Sequence, residues 1–386
     1  MPFYNQSGMK DMQSHFMSLA VKGVHRLQPY VPGKPIAELE REYGVSNIIK
    51  LASNENPLGC SPAAIAACNM TADELALYPD GNGFQLKQAL ANKHGVDINS
   101  ITLGNGSNDI LEFVARVFLS PGYNAVFSEH AFAVYPLVSM AVGAELNIAA
   151  ANNADHDMPY GHDLEGLLAC VNAKTRVVFI ANPNNPTGTW LGSDELEAFI
   201  AAVSDDVIIV LDEAYIEYVT KADYPDSVPW LQKYPNLVIT RTFSKAYGLA
   251  GLRVGYSISH PAIADLLNRV RQPFNTNSMA QAAALAALSD SAHIENSVTS
   301  NTAGLKQLFA AFKKMGIDYI PSVANFISFK TELSGDLVYD SLLRKAIIIR
   351  PISKYGLPDY LRVTVGSFDQ NEAFLNALAE VTGISR

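Results

Sequence analysis

Short apolar runs that alternate with helical segments constrain the fold of this 386-residue chain more than any other feature. They recur between residues 141 and 270, and the segment 194–203 has the composition of a helix between two of them. The runs lie at 145–148, 177–180, 207–211, 237–240 and 254–257. Strands separated by helices require crossover connections, so this alternation predicts an α/β fold with a mostly parallel sheet flanked by helices.

The pattern changes after residue 272. A long helical run at 278–315 is followed by short apolar runs at 319–320, 326–329, 347–350 and 360–366. Helices followed by short strands are typical of an α+β unit. We therefore expect a large domain at 46–272, a smaller α+β domain at 273–386, and an N-terminal arm at 1–45 that packs with the small domain.

Composition narrows the classes of function. The chain is 48% hydrophobic and 17% charged, which is enough to build a large core. Its net charge of -10 argues against nucleic acid and anionic membranes as partners. The three cysteines, Cys60, Cys68 and Cys170, are too irregularly spaced for a disulfide framework or a zinc site, so no metal is expected. No secretion signal is evident, and we expect a cytoplasmic protein.

The first candidate reactive residue is Lys245. It follows a predicted strand and a turn rich in hydroxyl groups, and Arg253 lies eight residues later. A lone lysine after a strand is most often a solvated surface residue. A lysine held among hydroxyls and a second cation can instead stay neutral and form a Schiff base. The hydroxyls and Arg253 together suit a phosphate group.

Two further stretches favour the second interpretation. Asn-Pro-Asn-Asn-Pro-Thr-Gly at 182–188 follows the apolar run 175–180, and Asp212 and Tyr215 follow the apolar run 207–211. Ligands of open α/β sheets bind at the carboxyl ends of strands. A carboxylate at the end of a buried strand is costly unless a partner compensates its charge.

In this order and spacing, the motifs resemble those of the fold-type I aminotransferases that use pyridoxal 5'-phosphate, and the resemblance runs from about residue 27 to the C-terminus. The resemblance implies pyridoxal 5'-phosphate as the cofactor and a homodimeric assembly. The expected reaction is transamination between L-histidinol phosphate and 2-oxoglutarate, which gives imidazole acetol phosphate and L-glutamate in histidine biosynthesis. An aromatic or broad-specificity aminotransferase and a threonine-phosphate decarboxylase are the alternatives.

The resemblance also assigns the catalytic residues. Lys245 is expected to carry the cofactor and to move a proton during the reaction. Asp212 is expected to hold the ring nitrogen of the cofactor in its protonated form. Asn185 and Tyr215 are expected to bond the phenolate oxygen of the ring, and Phe132 to stack on its face.

The segment 101–109 reads as a strand, a glycine turn and a helix. By itself it suits a simple helix cap as well as a phosphate site. The resemblance implies the phosphate site, to which Tyr78 of the neighbouring subunit would contribute. Glycines at 81 and 83 replace the proline usual in the family after the residue matching Asp80, which leaves the placement of this loop open. The other expected phosphate ligands are Gly106, Ser107, Asn108, Thr242, Ser244 and Arg253.

Substrate recognition is expected from residues near the two ends of the chain. Arg350 and Arg362 each follow or lie in an apolar run, and such arginines are commonly surface residues. The resemblance places an arginine at position 362 to bind a carboxylate in a bidentate manner. Tyr30, on a proline-stiffened segment, and Asn325 are expected to line the same site.

Overall fold

The computed structural model describes residues 15–29 and 33–384 of the chain. The strands in chain order are β1 (Ile49–Lys50), β2 (Ile101–Gly104), β3 (Asn124–Ser128), β4 (Glu145–Ala149), β5 (Thr175–Ala181), β6 (Ile208–Asp212), β7 (Leu237–Thr242), β8 (Gly255–Ser259), β9 (Asp318–Tyr319), β10 (Phe326–Lys330), β11 (Ile347–Ile348), β12 (Arg350–Pro351) and β13 (Tyr360–Thr364).

The longer helices in chain order are α1 (Ile36–Tyr43), α2 (Pro62–Thr71), α3 (Phe84–His94), α4 (Ser107–Phe118), α5 (Val134–Ala141), α6 (Leu164–Cys170), α7 (Ser193–Ala202), α8 (Pro261–Val270), α9 (Ser278–Leu288), α10 (Ser291–Met315), α11 (Gly335–Arg344) and α12 (Phe368–Thr382). Short 3-10 turns connect several of these elements.

Seven strands form the central sheet in the order β2-β8-β7-β6-β5-β3-β4. The neighbouring pairs are parallel except for those that involve β8, which runs antiparallel to both β2 and β7. The predicted mostly parallel sheet is therefore confirmed. Because β8 runs the other way, its first residues lie at the same edge of the sheet as the last residues of β6 and β7.

Both faces of this sheet are covered by helices. Val177 and Phe179 of β5 pack on one face with α4 and α8, while Val178 and Ile180 pack on the other face with α6 and α7. Successive side chains of a strand point to opposite faces, so a strand that is buried on both sides must be apolar throughout. This is why the central strands appear in the sequence as continuous apolar runs.

A second sheet is smaller and antiparallel, with the strand order β12-β13-β10-β9. Its core contains Phe312, Phe329 and Phe374, which come from α10, β10 and α12. The segment β1 pairs with β11, which joins an early part of the chain to this later unit. This unit has the predicted α+β character, and the proposed domain limits at 45 and 272 stay a prediction.

The single helical run predicted at 278–315 is wrong, because it is two helices, α9 and α10. They separate at Ser289 and Asp290, and the Asp290 carboxylate accepts the backbone N–H of His293 at 3.1 Å. An aspartate at this position caps the first turn of a new helix. The alanines of α9 pack with Leu86 and Leu103 near the edge strand β2 of the central sheet.

None of the helices that the structure describes is long and apolar enough to cross a membrane. The thiols of Cys60, Cys68 and Cys170 are free and partly buried.

The small-sheet core generates a prediction about stability. Phe374→Ala should lower the free energy of unfolding by about 3–5 kcal/mol, because it removes a fully buried ring and leaves a cavity. Phe368→Ala, on the same helix but 69% exposed, should change it by less than about 0.5 kcal/mol. Urea denaturation followed by circular dichroism measures both. Equal losses for the two variants would contradict this packing.

Candidate active site

A cavity of about 200 Å³ lies at the edge of the central sheet where β5, β6 and β7 end. Residues that follow β1 and residues of the small sheet close its other side. Its lining is Gly33, Ala52, Ser53, Asn54, Ser107, Asn108, Phe132, Ala181, Pro183, Asn185, Asp212, Ala214, Tyr215, Thr242, Ser244, Lys245, Arg253, Arg350, Tyr355 and Arg362. Most of the site residues predicted from the sequence therefore meet in one place, although they span more than 250 residues of the chain.

One end of the cavity is built to receive an anion. Helix α4 begins at Ser107, directly after Gly106, whose φ of 81° lies in the left-handed region that favours glycine. A Cβ on Gly106 would lie 2.4 Å from Nη2 of Arg253, so the missing side chain lets the guanidinium approach the start of the helix. The guanidinium also donates from Nη1 to Ser244 Oγ at 3.2 Å.

A phosphate fits this end of the cavity for an electrostatic reason. The amino end of α4 carries a partial positive charge, and the Arg253 guanidinium beside it carries a full one. Two positive groups placed so closely are stabilised when an anion binds between them. The hydroxyls of Ser107, Thr242 and Ser244 line the same end and supply further donors.

Lys245 lies in the middle of the cavity wall. Its amine donates to the backbone carbonyl of Ser53 at 3.1 Å and lies 5.6 Å from the centroid of the Tyr215 ring. Burial in the protein and the nearby positive charges of Arg362 and Arg253 together lower the pKa of this amine to about 7, with burial the larger cause. Lys245 is therefore neutral in a large fraction of molecules at neutral pH, as a nucleophilic amine must be.

The Asp212 carboxylate is buried at the end of β6. Its Oδ2 accepts the Tyr135 hydroxyl at 3.0 Å and its Oδ1 accepts the Thr240 hydroxyl at 3.1 Å. Burial raises the pKa of Asp212 to about 6, while the two hydroxyls oppose that rise by stabilising the charge. A carboxylate held in this way is suited to pair with a cationic group, such as a protonated ring nitrogen.

Opposite this carboxylate, the Tyr215 hydroxyl is surrounded by amides. Asn54 donates to it from Nδ2 at 2.9 Å, and Asn185 donates from Nδ2 at 3.3 Å. Asn185 in turn accepts from Nη1 of Arg362 at 2.5 Å through its Oδ1 atom. The chain of contacts joins residues of the central sheet to β13 of the small sheet.

Arg350 and Arg362 are neighbours across two antiparallel strands, since β12 and β13 pair them directly in register. Arg362 is buried and donates from Nη2 to the backbone carbonyl of Ala52 at 2.9 Å. Arg350 is partly exposed, and both arginines line the cavity. Together with Lys245 and Arg253, they give the cavity a concentration of positive charge within a protein of net charge -10.

Four predicted site residues lie away from this lining or outside the described structure. Gly106 directly precedes the lining residue Ser107, at the start of α4. Asn325 is buried behind the wall, where its amide donates to the Asn54 carbonyl at 3.0 Å. Tyr78 is 82% exposed and stacks on Phe274, with ring centroids 4.6 Å apart. Tyr30 lies outside the described residues. Their expected roles stay predictions.

The sequence analysis missed three side chains that contact the site: Asn54, Tyr135 and Tyr355. Tyr135 lies on an apolar helix and stacks on Phe179 with centroids 4.8 Å apart, so it looks like an ordinary core residue in the sequence. Asn54 had a visible signal, because it belongs to a polar stretch, 53–56, directly after the mostly apolar residues 48–52. Its φ of 56° and its contact with a residue 161 positions away become evident only in the structure.

The central parallel sheet, the lysine of lowered pKa, the buried carboxylate and the anion cradle define a fold-type I enzyme of the pyridoxal-phosphate class. The chain belongs to the aminotransferase class I and II family, whose model matches residues 46–378. It is accordingly an aminotransferase that uses pyridoxal 5'-phosphate as cofactor.

Curated relatives resemble almost the whole chain. Histidinol-phosphate aminotransferase 1 of Nitrosococcus oceani is 56% identical over 369 residues, which covers 96% of this chain and 98% of the relative. Histidinol-phosphate aminotransferase 2 of Pseudomonas aeruginosa is 54% identical over 370 residues, which covers 95% and 99%.

Solved structures agree with the fold. The histidinol-phosphate aminotransferase of Sinorhizobium meliloti, in complex with pyridoxal-5'-phosphate, superposes with a TM-score of 0.84 at 28% identity and covers 94% of this chain and 97% of its own. An aspartate aminotransferase mutant of Thermus thermophilus gives a TM-score of 0.81 at 19% identity, with coverages of 94% and 99%, and supports the fold alone.

The lowered pKa of Lys245 generates a prediction for the protein without its cofactor. Reaction of Lys245 with acetaldehyde and cyanoborohydride should rise about tenfold between pH 6 and pH 8 and then level off, because only the neutral amine reacts and its pKa is about 7. Peptide mass spectrometry measures the labelling at each pH.

Ordinary surface lysines serve as the internal control, since their labelling should still rise steeply above pH 8. Lys245→Ala should lose the site adduct and covalent attachment of the cofactor. If Lys245 were labelled with the same pH profile as the surface lysines, the lowered pKa would be wrong.

Proposed function

We propose that this enzyme transfers the amino group of L-histidinol phosphate to 2-oxoglutarate, producing imidazole acetol phosphate and L-glutamate in histidine biosynthesis. The observation that carries the proposal is the 56% identity to a histidinol-phosphate aminotransferase over 96% of this chain and 98% of the relative. The pair of arginines in the cavity supports it, because a phosphate dianion needs more positive charge than one carboxylate does.

The side chains around the cavity supply each contact that the cofactor needs. Bound pyridoxal phosphate acts as an electron sink for the bonds at the substrate Cα. Asp212 holds a proton on the ring nitrogen by pairing with the pyridinium charge. Asn185 and Tyr215 would hold the phenolate oxygen, and Phe132 would cover the ring face. The phosphate ligands are Gly106, Ser107, Asn108, Thr242, Ser244 and Arg253.

Lys245 has two tasks in this scheme. Its neutral amine attaches the cofactor covalently, which a pKa of about 7 permits at neutral pH. Once the amine is free, Nζ would be the group that takes the proton from the substrate Cα and gives it back in the later proton transfer. An amine with a pKa near the working pH performs both directions of proton transfer well.

Substrate anions bind at the opposite end of the cavity, between Arg350 and Arg362. In the first half-reaction these arginines bind the phosphate of histidinol phosphate, with Tyr30 as a further ligand. Asn325 supports the site from behind the wall, where its amide donates to the Asn54 carbonyl. In the second half-reaction they bind the carboxylates of 2-oxoglutarate. Arg362 is already held by Asn185 and Ala52, so it is the more rigid of the two.

Initial rates with L-histidinol phosphate, phenylalanine and tyrosine at equal concentrations test this function directly. The proposal requires histidinol phosphate to be preferred. A preference for phenylalanine or tyrosine would favour an aromatic aminotransferase instead. Release of carbon dioxide from threonine phosphate would favour the decarboxylase alternative.

The position of Arg350 predicts a selective loss. Arg350→Ala should raise KM for histidinol phosphate by about tenfold or more, since losing one charge-assisted hydrogen bond costs about 1.5–3 kcal/mol. KM for glutamate should change much less, because Arg362 still binds the carboxylate. Steady-state kinetics of the two half-reactions measure the difference.

Arg344→Ala is the matched control. This arginine lies on α11 and pairs with Asp340 at 3.0 Å outside the cavity. Its loss should therefore leave KM for histidinol phosphate and KM for glutamate unchanged. Equal increases of the two KM values in Arg350→Ala would contradict the assignment of Arg350 to the phosphate.

The enzyme works as a homodimer in the cytoplasm, with no nucleic acid or membrane partner. A concentration of exposed apolar side chains at residues 58–84 and at residue 274 supports the dimer, because apolar side chains grouped on a surface mark protein contacts. It contains Leu58, Ile65, Met70, Leu75, Leu77, Tyr78, Phe84 and Phe274. We assign this surface to a second copy of the chain, with Tyr78 reaching the cofactor phosphate of the neighbouring subunit.

The dimer proposal predicts that Tyr78→Phe weakens retention of the cofactor by roughly tenfold or more, because one hydrogen bond to a charged phosphate is lost. Equilibrium dialysis of the cofactor measures the loss. Tyr123→Phe, a change at another exposed tyrosine on the central-sheet side of the chain, is the control and should retain the cofactor normally. A fully active monomer in analytical ultracentrifugation would contradict the arrangement.

A further inference from the structure

The Tyr215 hydroxyl is the point at which two amide groups converge. Asn54 Nδ2 lies 2.9 Å and Asn185 Nδ2 lies 3.3 Å from the same phenol oxygen. A phenol oxygen accepts at most two hydrogen bonds and donates one. If both amides donate, the oxygen has no acceptor position left, and its own hydrogen must point elsewhere.

The orientation of the Asn185 amide follows from its other partner. Its Oδ1 atom lies 2.5 Å from Nη1 of Arg362. A guanidinium has donors and no acceptor, so the atom that faces Arg362 must be the amide oxygen. The amide nitrogen of Asn185 therefore faces Tyr215, and only as a donor.

The Asn54 amide lies between Thr364 and Tyr215. The Thr364 hydroxyl oxygen accepts the backbone N–H of Asn54 at 2.9 Å, and the hydroxyl donates to Asn54 Oδ1 at 3.3 Å. With Oδ1 placed toward Thr364, the amide nitrogen of Asn54 faces Tyr215 and donates to its oxygen.

The backbone of Asn54 is held as firmly as its side chain. Its carbonyl accepts the amide of Asn325 at 3.0 Å, and the residue is buried in a left-handed conformation with a φ of 56°. Asparagine adopts this conformation more readily than most other residues. The contacts of Asn54 are thus a fixed part of the wall rather than one of several side-chain positions.

We propose that Asn54, oriented by Thr364, is a positioning residue that directs the hydroxyl hydrogen of Tyr215 into the cavity. Tyr215 then meets the phenolate oxygen of the cofactor as a hydrogen-bond donor and in no other role. Burial raises the pKa of Tyr215 to about 12, so the hydroxyl keeps its hydrogen throughout the neutral range. The inference rests on the proposed function only through the placement of the cofactor ring.

The test uses the enzyme with its cofactor bound and without substrate. The visible absorbance band of the bound cofactor shifts with pH, and a donor to the phenolate oxygen lowers the midpoint of that shift. Asn54→Asp replaces the donor by a carboxylate, which accepts hydrogen bonds and draws the Tyr215 hydrogen away. The midpoint should rise by roughly one to two pH units.

A new negative charge raises the midpoint by itself, so the change is measured in two backgrounds. Asn54→Asp should shift the midpoint by about one unit more in the wild-type background than in Tyr215→Phe, which has no hydroxyl to redirect. Equal shifts in the two backgrounds, or no shift in either, would overturn the proposal.

A second pair of variants keeps the test decisive if Asn54→Asp does not fold. Thr364→Ser keeps the hydroxyl that orients Asn54 and should keep the wild-type midpoint, whereas Thr364→Val removes it and should raise the midpoint. Thermal melting confirms that each variant is folded. A wild-type midpoint in Thr364→Val would overturn the role of Thr364, and with it the proposed orientation.

These measurements are independent of the substrate. If histidinol phosphate proved not to be turned over while the midpoints behaved as expected, the proposed reaction would fail and this inference would stand. If histidinol phosphate were turned over while Asn54→Asp left the midpoint unchanged, only the inference would fail.

Discussion

A carboxylate buried at the end of an apolar strand costs free energy unless its charge is compensated, and the site supplies groups that compensate it. Asp212 ends β6, where backbone and apolar side chains exclude water. The hydroxyls of Tyr135 and Thr240 stabilise its charge only in part, since its pKa stays raised to about 6. A cationic ring nitrogen would supply the remaining compensation, which explains why a pyridine cofactor and a buried aspartate stabilise each other.

On the other walls of the cavity it is positive charge that lacks compensation. Lys245, Arg253, Arg350 and Arg362 all line a small volume, and two of them lower the pKa of the lysine amine. Cations that crowd together in this way are relieved by anions, and the cofactor phosphate and the substrate anion are the two that an aminotransferase brings. The same positive charges add to the effect of burial in lowering the pKa of the lysine, so they contribute to amine reactivity as well as to anion binding.

The cavity is also where separate parts of the chain are tied together by polar contacts. Arg362 of the small sheet bonds Asn185 after β5, Asn185 bonds Tyr215 after β6, and Tyr215 bonds Asn54 after β1. Each of these groups is buried, so losing one partner leaves another unsatisfied. The arrangement couples the packing of the small sheet to the hydrogen bonds that face the cofactor.

The sequence by itself determined the parallel sheet, because strands buried on both faces must be apolar throughout and are separated by helices. It also singled out Lys245, Asp212, Asn185 and Arg253 as candidate site residues, since short motifs at strand ends carry them. All four line the cavity. It did not reveal the break between α9 and α10, where one aspartate cap competes with a continuous helical pattern.

Only the tertiary structure showed which site residues Tyr135 and Asn54 contact. Their partners are Asp212, 77 positions away, and Tyr215, 161 positions away. Local spacing carries no information about such contacts, because they arise when the sheet brings distant strand ends together. The proposed direction of the Tyr215 hydroxyl is the extreme case, since it depends on the contacts of Asn54, of Asn185 and of two residues of β13.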